Sequence, residues 1–474
     1  MNYIGIDLGT SGVKILLVSA DGKILREVTQ GYPVSYPKSG WSEQNPEDWY
    51  AAVLRGLKQL NARDVAGIAC GGQMHGLVVL DKDDNVIRPC ILWNDGRTAK
   101  ETEYLNTLPL ARYTGNIAFA GFTAPKILWL KENEPENFRR IDKIMLPKDY
   151  IVYRLTGEFV TDYSDASGTL LLDVEHKCWS AHMLGVCGVT EKQLPTLSES
   201  YQKAGILKEE VARGLGWGKV TVAAGAGDNA AAAVGTGTVS DGECNISLGT
   251  SGTLFVCCDG FSLPRNNALH SFAHANGKYH FMGCILSAAS ANKWFIEDIL
   301  GDGYALAEKA RGRMGDNGVI FLPYLSGERC PHNDVAVRGA FAGLSANTAK
   351  EDMALAVMEG VAFAFRDCLE LVKENGIKIT KSTVCGGGAK SALWREILSN
   401  VLGLELQTVE TEQGPSFGAA LLAMVACGEY ESAEVAARAV VKKKTAARPD
   451  AKLAAKYDAK YGKYRLLYPA LKQL

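Results

Sequence analysis

The five residues Leu8-Gly9-Thr10-Ser11-Gly12 recur letter for letter as Leu248-Gly249-Thr250-Ser251-Gly252 in a chain of 474 residues. The flanks repeat too. Residues 3–7 and 243–247 are strand-like lead-ins, residues 14–18 and 254–257 are apolar strand-like continuations, and each copy then meets a turn, Ala20-Asp21-Gly22 or Asp259-Gly260. A strand, a glycine-rich turn and a strand are thus built twice, once at the start of each half, which marks a duplicated unit. Length agrees, because single cores stop growing beyond about 250–300 residues. The chain is expected to divide into lobes at 1–240 and 241–474, packed on each other, since no low-complexity linker lies near Val239 to Gly242.

Two glycines in each copy let the backbone turn with N–H groups pointing outward, and the Thr-Ser pair adds hydroxyl donors. Glycine alone would serve an ordinary hairpin. The hydroxyl pair kept between the glycines in both copies points to an anion cradle, with Gly9, Thr10, Ser11, Gly249, Thr250 and Ser251 as phosphate contacts. The copies differ where Asp7 precedes the first turn and Ser247 the second. A carboxylate beside a phosphate repels it unless a cation intervenes, so Asp7 is the expected Mg²⁺ site, through coordinated water. Lys14, just past the first turn, offers either a charge-assisted phosphate contact or an ordinary solvated strand lysine.

Strand and helix signals alternate around these turns. Asn45-Pro46 reads as an N-cap and first helical residue, followed by Trp49, Val53, Leu54, Leu57 and Leu60 at helical spacing, and residues 65–69 then read as a strand. In the second half Thr348 with Glu351 forms a capping-box pattern ahead of Val357, Val361, Ala364, Phe365, Cys368 and Val372, ending at Gly376. The expected class is α/β, two lobes of sheets covered by helices. Gly386-Gly387-Gly388-Ala389 lies between a strand-like 382–385 and a helix-like 391–401. Bare backbone there admits a flat base or ribose, or simply close packing. The stretch from Lys442 to Leu474, rich in Lys, Ala and Tyr, reads as a pair of surface helices.

Asp228 stands in the small, apolar run Ala224-Gly225-Ala226-Gly227-Asp228-Asn229-Ala230-Ala231, after a strand-like 220–223. A buried carboxylate costs on the order of several kcal/mol unless paired or used, and α/β folds place ligands where a strand end opens to a helix. A catalytic base and a plain helix cap are the two readings. Two loops carry groups suited to a polyol: Gln73, Met74 and His75 in GQMHG, and Trp93, Asn94 and Asp95 in WNDGR. Amide, imidazole and carboxylate bracket hydroxyls, while Trp or Met covers a sugar's apolar face. No G-x-x-x-x-G-K-[ST] loop and no H-R-D with D-F-G pairing occurs, so any ATP is held another way.

The net charge of −2, from 51 basic and 53 acidic residues, leaves no electrostatic footprint for nucleic acid. No apolar run reaches the roughly 18 residues that span a bilayer, and the first residues enter a strand without the basic and apolar regions of a signal peptide. Twelve cysteines without a C-x-x-C pair read as buried thiols in a reducing compartment, and a cytoplasmic protein is expected. His270 and His274, in a strand-like HSFAH, read as packing or hydrogen-bonding groups rather than metal ligands.

Taken together these residues resemble the FGGY carbohydrate kinases along the whole chain. Gly5-Ile6-Asp7-Leu8-Gly9-Thr10-Ser11 is similar to the family's first phosphate motif, GFTAPKILWL at 121–130 fits one family signature, and GAFAGL at 339–344 leading to Val357-Met358-Glu359 fits the other. GQMHG at 72–76, WNDGR at 93–97, LPKDY at 146–150, SDASGT at 164–169 and GDNAA at 227–231 are similar to members that phosphorylate D-xylulose rather than glycerol. The resemblance implies two ribonuclease-H-like, actin-type lobes with ATP and Mg²⁺ in the cleft. It further implies that Asp228 deprotonates the C5 hydroxyl of the sugar, giving a 5-phosphate for pentose phosphate metabolism, while Met74, His75 and Asn229 help hold it. Cys330 in GERCPH stands where such enzymes commonly show Thr, so identical sugar and nucleotide preferences do not follow. A kinase for ribulose, gluconate or a polyol is the near alternative and an actin-like nucleotide switch the distant one; the oligomeric state is open, with a homodimer one expectation.

Overall fold

The structure is a computed structural model that describes residues 1–410 and 413–472. The first half carries β1 (Asn2–Leu8), β2 (Gly12–Ser19), β3 (Ile24–Gly31), α1 (Pro46–Leu60), β4 (Val65–Gly72), α2 (Thr123–Asn133), α3 (Pro147–Thr156), β5 (Lys203–Ile206), β6 (Thr221–Ala223), β7 (Ala226–Gly227) and α4 (Asp228–Gly235). The second carries β8 (Cys244–Leu248), β9 (Gly252–Cys258), β10 (His270–Ala273), β11 (Tyr279–Ile285), α5 (Lys350–Glu374), β12 (Lys381–Cys385), α6 (Ala392–Leu402), β13 (Glu405–Val409), α7 (Gly414–Ala426), β14 (Lys443–Ala447) and α8 (Ala451–Tyr464).

The first sheet runs β5-β6-β4-β1-β2-β3, with β7 also pairing β4, and the second runs β10-β11-β9-β8-β12-β13-β14. The duplication read from five letters is a duplication of topology. β1 pairs β2 antiparallel and β4 parallel, just as β8 pairs β9 antiparallel and β12 parallel. The two hairpins nevertheless differ in register: Leu8 pairs Val13, whereas Leu248 pairs Gly252. Four residues span the first turn and three the second. What each glycine touches differs as well, since a Cβ on Gly12 would meet the Gln30 carbonyl of β3 and one on Gly252 would meet Phe365 and Ile285.

Strand β1 is covered on both faces, as parallel strands in α/β folds are. Ile4, Ile6 and Leu8 pack with Trp49, Val53, Leu57 and Leu60 of α1. Tyr3 and Gly5 face α7, a helix from the second half of the chain that lies on the first sheet. A Cβ on Gly5 would sit 1.8 Å from the Ser416 carbonyl, and one on Gly418 would sit 1.8 Å from that of Ala231, so α4 and α7 also cross in backbone contact.

Asn45 caps α1 by accepting from the Glu47 N–H at 3.1 Å, as its position beside Pro46 predicts. The expected cap of the long helix shifts by one residue. Thr348 accepts the Ser345 N–H at 2.9 Å in a preceding turn, and Asp352 instead accepts the Ala349 N–H at 3.0 Å. The C-terminal stretch also departs from a pair of surface helices. It first adds edge strand β14, and Tyr457, Tyr461 and Tyr464 of α8 are then buried with Phe363 of α5. Its periodicity is helical, but the tyrosines supply an apolar face that polar neighbours disguise. That reading extends to residues 473–474, which lie outside the described residues.

Candidate active site

Three parallel strands of the first sheet end together, and each end carries a predicted motif. β1 leads to the Gly9–Gly12 turn, β4 to GQMHG, and β7 to Asp228. Asp7, Gly71 and Ala226 share one row across the sheet. With strands about 4.8 Å apart, the rows of Asp7 and Ala226 lie about 10 Å apart across a strand that offers only glycine at this level. Asp7 and Asp228 therefore feel each other. Burial, and then the charge of Asp228, raises the Asp7 carboxyl to about 7, with Lys14 opposing. Burial raises Asp228 to about 6 against the stabilising hydrogen bonds of Asn229.

Those hydrogen bonds are asymmetric. The Asn229 N–H and Nδ2 both donate to Asp228 Oδ1, at 2.7 and 2.9 Å, and among the described residues nothing donates to Oδ2. The loop before Asp228 is pressed against the GQMHG loop, because a Cβ on Gly227 would sit 2.9 Å from Met74 Sδ. His75 has a left-handed backbone, φ 71°, held by its carbonyl, which accepts from Lys126 Nζ at 2.8 Å and Thr123 Oγ1 at 3.1 Å. Its Nδ1 lies 2.9 Å from the Gly168 carbonyl, so Nδ1 carries the proton and Nε2 is left as an acceptor. Burial, then the nearby Lys126, pushes His75 down to about 3, and the ring stays neutral at any working pH.

Four predicted contacts are placed otherwise. Gln73 is buried and braces the first turn: Thr10 Oγ1 donates to Gln73 Oε1 at 3.1 Å and Gln73 Nε2 donates to Gln44 Oε1 at 3.1 Å. Asp95 is buried too. One oxygen accepts the Ser42 N–H at 2.6 Å and both meet Arg97, so its charge is spent on the loop rather than offered to a hydroxyl. The Lys14 ammonium reaches Glu27 at 3.2 Å and also Gln413, the residue before α7, and so is not free beside the turn. Ala389 turns inward, its carbonyl accepting from Arg395 at 2.5 Å. Trp93 and Asn94 stand exposed, with Trp93 Nε1 donating to Thr10 Oγ1 at 3.0 Å. The Thr10 hydroxyl is thereby committed on both sides, which leaves its backbone N–H for an anion.

On the second lobe the Gly249-Thr250-Ser251 turn and the triple glycine meet. Gly386 has φ 91°, and a Cβ there would lie 2.8 Å from the Leu248 carbonyl, so only glycine fits. A cavity of about 610 Å³ opens beside them, lined by Thr250, Ser290, Gly387, Gly388, Ser391 and Trp394 among others. A Cβ on Gly387 would meet nothing within 4 Å. The cavity has the size and bare floor that a nucleoside needs.

Residues 2–235 match the model of the N-terminal domain of the FGGY family of carbohydrate kinases, and residues 244–427 match that of its C-terminal domain. The chain belongs to the FGGY family of carbohydrate kinases. Among its relatives is a xylulose kinase of Escherichia coli (strain K12), 43% identical over 99% of both chains. A solved xyloylose kinase from Brucella ovis superposes with TM-score 0.95 at 41% identity, covering 100% of each chain, and a gluconate kinase from Lactobacillus acidophilus superposes with TM-score 0.94 at 27% identity over 99% of this chain and 97% of that one. As an FGGY kinase the protein is a phosphotransferase that takes ATP and a small sugar. No helix among the described residues is long and apolar enough to cross a membrane.

Sequence reasoning missed how the second lobe of this FGGY kinase packs against the GQMHG loop. Phe122 stacks on His75 at 4.4 Å and packs against His270 and Phe272. Arg329 lies over Phe119 at 4.0 Å and within 3.2 Å of His270 Nε2. His270 is thus part of an inter-lobe aromatic stack, and His274 bonds the Thr238 carbonyl at 2.8 Å. Nothing in the local spacing of HSFAH or GERCPH signals these contacts, which join positions from 36 to more than two hundred residues apart.

Proposed function

We propose that the chain transfers the γ-phosphoryl group of ATP to the C5 hydroxyl of D-xylulose, with Asp228 as general base. The observation that carries the base assignment is the one-sided hydrogen bonding of its carboxylate. Asn229 fixes Oδ1 and leaves Oδ2 to accept a proton. A carboxyl at about 6 is ionised at neutral pH yet more basic than an ordinary aspartate, which suits a base working near pH 7.

In the step, the sugar oxygen bonds to the γ-phosphorus as its proton passes to Asp228 Oδ2, the bond to the β-phosphate oxygen breaks, and ADP leaves. Positioning and charge stabilisation supply most of the acceleration. Neutral His75 accepts a sugar hydroxyl at Nε2, Met74 covers an apolar face, and backbone N–H groups of both glycine turns hold phosphate oxygens. Asp7 fits Mg²⁺, because its buried carboxyl also feels the charge of Asp228, and Lys14, the cation that opposes this, is already engaged with Glu27. Asp7 would hold the ion through water, and the ion would neutralise phosphate charge when bound.

Similarity over whole chains to kinases named for xylulose supports this sugar, and the lower identity with the gluconate kinase makes an aldonate the weaker reading. The buried thiols of Cys70, Cys90, Cys187 and Cys330 suit a reducing cytoplasm. A coupled ADP-release assay across pentuloses, polyols and aldonates tests the substrate. D-xylulose should show the highest kcat/KM, and a higher value for ribulose or gluconate refutes it.

A further inference from the structure

Two motifs that the proposed chemistry leaves idle, LPKDY and SDASGT, meet beneath the base. Lys148, the second residue of α3, is wholly buried with its ammonium 2.5 Å from Asp149 Oδ1 and 2.9 Å from Asp162 Oδ1. Burial opposes its charge, but Asp149 and Asp162 hold it above the ordinary lysine range. Asp149 Oδ2 accepts the Leu146 N–H at 3.0 Å, which anchors the start of α3. Asp162 Oδ2 accepts the Ser164 N–H at 2.8 Å and the Ser200 hydroxyl at 2.7 Å, and also takes the Ser164 hydroxyl.

With its own proton given to Asp162, Ser164 Oγ can only accept, and it does so from the Gly227 N–H at 3.2 Å. Gly227 is the residue before Asp228. On its other side Gly227 abuts Met74, so the backbone leading to the base is gripped between a buried polar chain and the sugar loop. Lys148 also touches the strand that leads to that loop, since a Cβ on Gly72 would lie 2.9 Å from Lys148 Cβ. A buried ion pair is weak evidence for stability, and its best-attested use is to specify one arrangement.

We propose that Ser164, oriented by the buried Lys148–Asp162 pair, is a positioning residue that sets where Asp228 meets the acceptor hydroxyl. This rests on Asp228 being the base. Because displacement of a reacting group by about 1 Å can cost on the order of 100-fold, the loss should fall on the ordered sugar hydroxyl more than on water, which reorients freely.

The test compares S164A, S164T and D228A by two rates each, sugar phosphate formation and ATP hydrolysis without sugar. Their ratio does not depend on the fraction of enzyme that is folded. In S164A we expect kcat with sugar to fall about 10- to 100-fold at little change in KM for ATP, with the ratio of hydrolysis to phosphorylation rising at least about fivefold. S164T, which keeps the hydroxyl, should recover most of the rate. The proposal is overturned by wild-type rates in S164A, by a proportional fall in both rates, or by an S164T that melts like the wild type yet recovers nothing. A fully active D228A would instead sink the base assignment itself.

Discussion

Replacing Asp228 by Asn separates the proposed base from its surroundings with little else disturbed. The amide has the carboxylate's shape, and its oxygen can keep both Asn229 hydrogen bonds on the Oδ1 side. What is lost is the one unoccupied basic oxygen. A positioned base contributes roughly 10² to 10⁴ in rate, about 3–5 kcal/mol of barrier. With the carboxyl at about 6, some 90% is ionised at pH 7 and some 10% at pH 5, so wild-type kcat/KM should fall roughly ninefold between those values. The variant should be slow and flat over that range. Rates would be read by coupled ADP release from pH 5 to 8, with ATP affinity measured separately by fluorescence titration and expected to stay within about threefold. More than a tenth of wild-type turnover, or a surviving limb near pH 6, would refute the assignment.

Two further substitutions probe the second lobe. Gly387→Val should leave the melting temperature unchanged and raise the KM for ATP about tenfold, because its Cβ enters open cavity, whereas Gly388→Val drives into Leu248 and Trp394 and should lower the melting temperature. An unchanged KM in the first would remove the nucleoside from that cavity. Burial raises Glu328 from 4.5 to about 8, so the folded protein keeps a proton that the unfolded chain has released, and stability drains away as pH rises from about 4.5 to 8, by about 3 kcal/mol at pH 7. Glu328→Gln lacks that proton linkage. Its melting temperature should exceed the wild type's at pH 8, with the gap closing toward pH 5; a gap independent of pH would contradict the argument.

Much of the architecture could be read from local chemistry. Asn45 beside Pro46 announced α1, alternation of strand and helix signals announced the lobes, and the five-letter repeat announced a doubled topology. Asp228 also stood out, as a lone charge in an alanine-glycine run. Less legible were the polar residues beside it. Gln73 and Asp95 have the composition of sugar ligands, yet Thr10, Gln44, Ser42 and Arg97 claim their hydrogen bonds, and all of those partners but Arg97 lie 29 to 63 residues away in the chain. Lys148 and Ser164 stood only as letters of the motifs LPKDY and SDASGT, with no role read for them, because a buried ion pair has no periodicity to betray it.

Backbone propensities, turn residues and spacing act over a few positions, so they dictated which segments became strands, where helices began, and that the same turn would be made twice. They did not dictate how far each identical turn would reach: one GTSG spans four residues and the other three, according to whether β3 or the side chains of Phe365 and Ile285 press on the last glycine. Nor did they place α7 on a sheet begun four hundred residues earlier. Packing decided those points, because a glycine's freedom is resolved only by the atoms that come to lie against it.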